Sequence, residues 1–143
     1  MSHYLNLTED GNFRRKVMAI VRDAEGRGFP LKVASSLRTV EEQRQKVAQG
    51  YSKTMKSKHL PGWDGLARAA DIVDLHKGWD CEKAVWLMVG RLALTKGLKW
   101  GGLWGLPRNE RKKLHAFLTD MDVPFNPYDW KGHLGWDVAH CEI

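Results

Sequence analysis

Apolar residues recur at the spacing of an α-helix in three segments of the chain. The first covers residues 8–26, with Thr8 as a candidate N-cap and apolar side chains at every third or fourth position. The second covers residues 81–95. The third begins with Pro107, whose fixed φ angle suits the first helical position, and extends to about residue 118. The pattern predicts three amphipathic helices, each with one face available for a core.

Shorter apolar runs between these helices predict strands. A capping box at residues 39–42 predicts a fourth, shorter helix that ends before Gly50, and residues 51–68 have the composition of a loop. We expect strands at residues 31–37, 69–75 and 136–143, and a strand or turn at residues 98–104. Helices and strands do not alternate as βαβ units. We therefore expect one α+β domain over residues 1–143, a small antiparallel sheet flanked by helices.

The composition narrows the class of protein. No apolar run approaches the ~20 residues of a transmembrane helix, so we expect no stable membrane insertion. Residues 1–16 contain no apolar core of a secretory signal, and we expect synthesis in the cytoplasm. Cys81 and Cys141 are too few for a disulfide scaffold or a zinc finger. The net charge of +6 favours a polyanionic partner, and the seven tryptophans could line a cleft that binds polymers.

Two blocks that combine an acid with a histidine stand out as candidate chemistry. In the first, His59 lies in a loop that contains glycine, and Asp71 lies inside the apolar run of residues 69–73. A carboxylate in such a run is costly to bury unless it is paired or bound to a metal. The pattern therefore indicates that Asp71 has a specific partner.

The second block places Asp137 and His140 three residues apart in an aromatic and apolar setting. On a regular strand, residues three apart face opposite sides. Both side chains can therefore meet one metal only if Asp137 precedes the strand or a bulge redirects it. Without a metal, the two residues would form an ion pair at the end of a strand, and the sequence leaves both interpretations open.

Taken together, these blocks resemble the D-alanyl-D-alanine carboxypeptidase / L-alanyl-D-glutamate peptidase family of zinc peptidases, and within it the short phage endolysins. The resemblance rests on Ser-x-His at residues 57–59, Ala-x-Asp at 69–71 and Trp-Asp-x-x-His at 136–140. Ser-Leu-Arg-Thr at residues 36–39 matches the strand of the family that carries an arginine, and Trp-Gly-Gly at 100–102 matches its turn. The resemblance covers residues 33–143 and implies the Hedgehog/DD-peptidase fold.

The resemblance implies a role for five residues. The implied zinc ligands are His59, Asp71 and His140. Asp137 would be the catalytic carboxylate, and Arg38 would grip the carbonyl or carboxylate of the substrate. Two imidazoles and one carboxylate leave one position of a tetrahedral zinc open for water, whose pKa the metal lowers toward ~7. A free carboxylate can then take the proton, and a guanidinium can stabilise the oxyanion.

Three further residues are assigned to substrate binding. Ser57 would also brace the ligand loop, Trp63 lies between the first two ligands, and Trp100 belongs to the Trp-Gly-Gly turn. The interval between the first two ligands is longer than is usual in the family, so residues 62–68 would form an enlarged loop. This departure leaves Asp64 and Asp74 as substitutes for the aspartate ligand. Only Asp71 has the Ala-x-Asp-Ile context.

The function that the resemblance implies is zinc-dependent hydrolysis of a stem-peptide bond in bacterial peptidoglycan, with L-alanyl-D-glutamate as the expected bond. An endolysin would lie in the host cytoplasm before lysis and then reach the cell wall or periplasm through a membrane lesion of the holin type. We also expect a monomer that does not bind nucleic acid.

Three alternatives remain open at the level of the sequence. One is a D-alanyl-D-alanine carboxypeptidase or a cytoplasmic dipeptidase. Another is a basic nucleic-acid-binding module, which the net charge of +6 and the lysines near Tyr51 suggest. No helix-turn-helix, RNP-like or zinc-finger motif supports that module. The last is a peptidase fold that has lost its activity and only binds the cell wall.

Overall fold

The computed structural model of the chain describes residues 11–35, 44–45, 47–50 and 68–143. The helices and strands, in chain order, are α1 (Gly11–Gly26), β1 (Leu31–Ser35), β2 (Ala69–Asp74), α2 (Lys83–Thr95), β3 (Lys99–Trp100), α3 (Arg108–Thr119) and β4 (His140–Glu142). The predicted α+β class is confirmed, and α1, α2 and α3 lie where the apolar spacing predicts helices. The described parts of the predicted fourth helix, residues 44–45 and 47–48, are also helical.

Two predicted boundaries are wrong. The final strand begins at His140 rather than at residue 136, because the residues before it form a turn that is hydrogen-bonded to residues 101–104. The N–H of Asp137 donates to the carbonyl of Gly101 at 3.3 Å, and the N–H of His140 donates to the carbonyl of Asp137 at 3.1 Å, which closes a turn. Pro107 is the N-cap of α3 rather than its first helical residue, because its ψ of 148° is extended.

The four described strands form one antiparallel sheet in the order β1-β2-β4-β3. In the ladder between β2 and β4, Asp71 is paired with His140. A register shift after Val33 brings Ser35 opposite the other side of Asp71. Since side chains of directly paired residues point to the same face of a sheet, the register places the carboxylate of Asp71 beside the imidazole of His140.

One hydrophobic cluster fills the space between the helices and the sheet. Helix α2 lies at its centre, because residues 84–93 are all buried and the helix contacts α1, α3 and two strands of the sheet. The largest fully buried side chains are Trp100, Phe13, Ile20, Leu31, Ile72, Leu87 and Leu114. Within the described ranges, no helix combines the length and the apolar character needed to cross a bilayer.

Arg91 is a charged residue inside this apolar environment, with 7% of its surface exposed. Its Nη1 donates to the carbonyl oxygens of Leu118 at 3.1 Å and Asp120 at 3.0 Å, and its guanidinium lies over the ring of Phe125. The last carbonyls of a helix have no partner within the helix, and a cation at that end is favourable. Arg91 therefore fastens the C-terminal end of α3 to α2.

Trp100, which the sequence assigns to substrate binding, lies in the core. Only 1% of its surface is exposed, and its Nε1 donates to the carbonyl of Val138 at 2.7 Å. Its ring packs against Gly90 in α2, where a Cβ atom would lie 2.7 Å from Cε3 of the indole. The buried indole ties the sheet to α2.

Replacement of Gly90 by alanine should destabilise the protein. The new methyl group would meet the fully buried ring of Trp100, so we expect a loss of about 1–3 kcal/mol of unfolding free energy in a denaturant titration. Gly26→Ala in α1 is the matched control, because nothing lies within 4 Å of a Cβ atom there. We expect its stability to change by less than about 1 kcal/mol. A Gly90→Ala protein as stable as this control would contradict the packing.

Candidate metal centre

Two carboxylates and one imidazole converge where β2 meets the start of β4. Ligand atoms of Asp71, Asp137 and His140 all lie within 4.8 Å of one another. The Nδ1 atom of His140 is 3.6 Å from Oδ1 of Asp71 and 3.7 Å from Oδ2 of Asp137. In the part of the chain that the structure describes, no other group of three histidine, cysteine or acidic side chains has the spacing of metal ligands.

The β2–β4 ladder holds two members of this group out of solvent. Asp71 is 6% exposed and His140 is 5% exposed, and the neighbours of Asp71 along the strand, Ala70 and Ile72, are fully buried. Burial of an ionised carboxylate is strongly unfavourable unless a cation or hydrogen-bond donors face it. The expectation that Asp71 has a specific partner is confirmed by the imidazole across the ladder.

Asp137 precedes β4, which is one of the two arrangements that the spacing to His140 allows. Its position is set by backbone contacts with the turn after β3. A Cβ atom on Gly101 would lie 2.3 Å from the carbonyl oxygen of Asp137, and one on Gly135 would lie 2.3 Å from the carbonyl oxygen of Trp104. Only residues without side chains allow two backbones to approach so closely. The glycine-containing turn therefore positions the carboxylate.

Glu142 is a neighbour of the centre that sequence reasoning missed. Its Oε1 lies 2.8 Å from Nε2 of His140, on the side of the imidazole away from the other two carboxylates. Side chains two residues apart on a strand point to the same face, which brings both onto one face of β4. This period of two is the signal that could have identified Glu142, because the residue lies two positions after a candidate ligand.

Two tryptophans extend from the centre toward solvent. The ring of Trp104 lies 4.9 Å from the imidazole of His140, and the ring of Trp136 lies 5.7 Å from that of Trp104, measured between centroids. Trp104 is half-buried, whereas Trp136 is 45% exposed. Together they form an aromatic wall beside the centre. The seven tryptophans predict aromatic walls for a cleft, but the sequence assigns substrate binding to Ser57, Trp63 and Trp100.

The remaining predicted site residues fall into two groups. The residues that lie outside the described part of the chain are His59, Arg38, Ser57 and Trp63, together with the alternative ligand Asp64. Asp74, the other alternative, accepts hydrogen bonds from the N–H groups of His76 and Lys77 in the turn after β2, and these bonds lower its pKa. It is not part of the cluster.

The charges around His140 raise its pKa in the metal-free protein. Burial alone lowers the pKa of an imidazole, but the hydrogen bonds that the ring donates to Asp71 and Glu142, with the negative charge of Asp137, outweigh burial and raise the pKa of His140 from 6.5 to about 9. A proton and a metal ion compete for the same ring.

Burial also raises the pKa of Cys141, the next residue, and a neutral thiol is a poor metal ligand.

The donor set fits a divalent cation. Two atoms bound to one tetrahedral zinc at about 2.0–2.2 Å lie roughly 3.3–3.6 Å apart, close to the distances from Nδ1 of His140 to the two carboxylates. Imidazole nitrogen and carboxylate oxygen are ligands that zinc takes. Asp71, Asp137 and His140 could all be ligands. Alternatively, Asp137 is not a ligand and carries protons, and a residue outside the described ranges completes the set.

In the metal-free protein, His140 should make stability depend on pH. Its pKa is 6.5 for the ordinary group and about 9 in the fold, so the folded state binds the proton more tightly. This contribution is fully present below pH 6.5 and is lost as the pH rises through about 9.

We expect metal-free wild type to lose up to about 3 kcal/mol of unfolding free energy over that interval. Denaturant titrations at several pH values, with a chelator present, measure this loss. The unfolding free energy of His140→Gln should depend less on pH. Equal dependence in the two proteins would show that His140 is not responsible.

Comparisons with known proteins give a likeness in fold. No protein-family model matches this chain, and no curated protein matches it significantly. Six chains of solved structures match. One is the crystal structure of the L-Ala D-Glu endopeptidase ChiX from Serratia marcescens, with a TM-score of 0.54 and 22% sequence identity. The match covers 95% of this chain and 80% of that chain. The chain therefore shares the α+β fold of this endopeptidase.

Proposed function

We propose that this protein is a zinc-dependent peptidase that hydrolyses the L-alanyl-D-glutamate bond of peptidoglycan stem peptides. The observation that carries the proposal is the convergence of Asp71, Asp137 and His140 within 4.8 Å. The same fold in an L-Ala D-Glu endopeptidase supports the substrate class. The sequence blocks that resemble the zinc peptidase family contain these same three residues.

Asp71 and His140 are proposed to hold the metal, with His59 as the third ligand. Asp71 and His140 are buried and fixed by the β2–β4 ladder, so their donor atoms are held in place before a metal binds. Zinc, when bound, supplies a Lewis acid that polarises the scissile carbonyl and makes water more acidic. The proposed catalytic work of the chain then falls on the remaining carboxylate.

Asp137 is proposed to move the proton. Its side chain is 26% exposed, whereas that of Asp71 is 9% exposed, so Asp137 has the better access to substrate. A carboxylate oxygen of Asp137 would accept a proton from the attacking water and return it to the nitrogen of the departing amino group. Arg38 is proposed to neutralise the charge that develops on the carbonyl oxygen, as a positioned guanidinium can.

The aromatic wall formed by Trp104 and Trp136 is proposed to bound the substrate cleft, a role that the sequence assigned to Ser57, Trp63 and Trp100. Indole faces supply large contact areas at low cost in conformational entropy. The net charge of +6 favours the anionic envelope in which peptidoglycan lies. The proposed partner is therefore bacterial peptidoglycan.

The biological role that we propose is that of an endolysin acting as a monomer. It would lie in the host cytoplasm until a holin-type lesion releases it to the cell wall. This part of the proposal is supported by the resemblance of the sequence blocks to short phage endolysins. Expression inside bacteria with and without a holin tests it, because lysis should require both proteins.

The peptidase proposal is tested by digestion of purified peptidoglycan with the zinc-loaded protein. Mass spectrometry of the products should show new amino-terminal D-glutamate, and chelation should abolish its release. Release of D-alanine instead would identify a carboxypeptidase. Intact peptidoglycan after digestion with zinc-loaded protein would overturn the peptidase proposal, and a gel-shift with nucleic acid would then test the basic binding module.

Substitutions should separate the proton carrier from the ligands. Asp137→Asn keeps the shape of the side chain but removes its basicity, so we expect turnover to fall by ~10²–10⁴-fold with zinc still bound. His140→Ala should lose both zinc and turnover, because it removes a ligand. Zinc stoichiometry and stem-peptide cleavage are measured on both proteins.

Asp80→Asn is the matched control, since Asp80 is exposed and lies outside the cluster. It should retain zinc and rate. An Asp137→Asn protein with wild-type turnover would exclude Asp137 as the proton carrier, and one that loses its zinc would make Asp137 a ligand.

A further inference from the structure

Glu142 contacts the candidate metal centre without belonging to the group of three ligand candidates. It lies on β4 two residues after His140, and its Oε1 is 2.8 Å from the Nε2 atom of that imidazole. Its side chain is 14% exposed and that of His140 is 6% exposed, so the hydrogen bond between them is largely shielded from water. A charge-assisted hydrogen bond in such a setting is stronger than one at the surface.

The two nitrogens of His140 face different groups. Nδ1 faces the carboxylates of Asp71 and Asp137 at 3.6 and 3.7 Å, whereas Nε2 faces Glu142. A neutral imidazole carries one proton, and only the other nitrogen can donate an electron pair to a metal. Binding of a cation at Nδ1, on the side of the ring that faces the aspartates, therefore requires the proton on Nε2.

Without a partner at Nε2, the environment would favour the opposite tautomer. Two carboxylates at Nδ1 attract a proton to that nitrogen, which is the position where the metal has to bind. A carboxylate at Nε2 counters this attraction because it accepts the Nε2 proton. The ring also lies against Trp104, with 4.9 Å between centroids, which restricts its tilt.

We propose that Glu142 is a positioning residue that keeps the proton of His140 on Nε2, so that the electron pair of Nδ1 can bind the metal. The inference rests on the proposed function for the presence of a metal at this site. Glu142 acts through His140 and is not a ligand itself, because the two ring nitrogens point in divergent directions. A carboxylate that binds the Nε2 hydrogen lies on the far side of the ring from a metal at Nδ1.

The first test is zinc affinity, measured by competition with a chromophoric chelator. Glu142→Ala should bind zinc about 10–100-fold more weakly than wild type, the usual effect of losing a partner that orients a histidine ligand. Glu142→Gln should recover most of the affinity, because its amide oxygen still accepts the Nε2 hydrogen. Glu110→Ala is the matched control, since Glu110 is an exposed residue in the first turn of α3.

The second test is the tautomer of His140, read from the nitrogen chemical shifts of protein labelled with ¹⁵N-histidine. The assignment comes from comparison with His140→Gln. In metal-free protein above the pKa of the ring, wild type and Glu142→Gln should carry the proton on Nε2. Glu142→Ala should shift the population toward the Nδ1 proton, because the aspartates then have no competitor. A general loss of stability would not produce this selective change.

The outcomes separate this inference from the proposed function. Wild-type zinc affinity and an unchanged tautomer in folded Glu142→Ala would overturn the role of Glu142, whatever the protein cleaves. Weaker zinc binding with the shifted tautomer would support it even if no stem peptide is cleaved, in which case only the peptidase proposal fails. If wild type binds no zinc, the tautomer of the metal-free protein decides the role of Glu142.

Discussion

The pairing of Asp71 with His140 across the β2–β4 ladder is the constraint on which the rest of the site depends. A buried carboxylate in an apolar strand would destabilise the fold if nothing faced it, and the ladder places an imidazole directly opposite. The same register makes their donor atoms converge. Interior strands are the most rigid parts of a small sheet, so the two side chains are held in place without a loop to position them.

Asp137 is positioned by a different kind of contact. Backbone packs on backbone at Gly101 and Gly135, and hydrogen bonds connect the two segments on either side of the carboxylate. The ring of Trp104, in the same turn, lies 4.9 Å from the imidazole of His140 between centroids. Pairing of side chains across a ladder and packing of backbone around a turn therefore place a partly exposed carboxylate, Asp137, beside a buried one, Asp71.

The sequence predicts much of this from a few physical rules. The cost of burying a carboxylate identified Asp71. The period of a strand left two positions for Asp137, before the strand or at a bulge, and the predicted strand wrongly began at residue 136. Trp100, which the sequence assigns to substrate binding, lies in the core, because an indole beside glycines suits a tightly packed core as well as an open cleft. Alternation could have placed Glu142 beside His140, but it does not reveal which nitrogen of His140 faces which acid. That assignment depends on the tertiary register.

The strand order β1-β2-β4-β3 places β4 between two strands that precede it in the chain. In this sheet β3 is paired with β4 alone, so β3 can join the sheet only once β4 has paired with β2. Contacts between residues distant in sequence form late, because the entropy of closing the intervening chain is lost first. Completion of the sheet and completion of the site are therefore one folding event. A partly folded chain without β4 would have neither, because His140 joins Asp71 only when that strand pairs with β2.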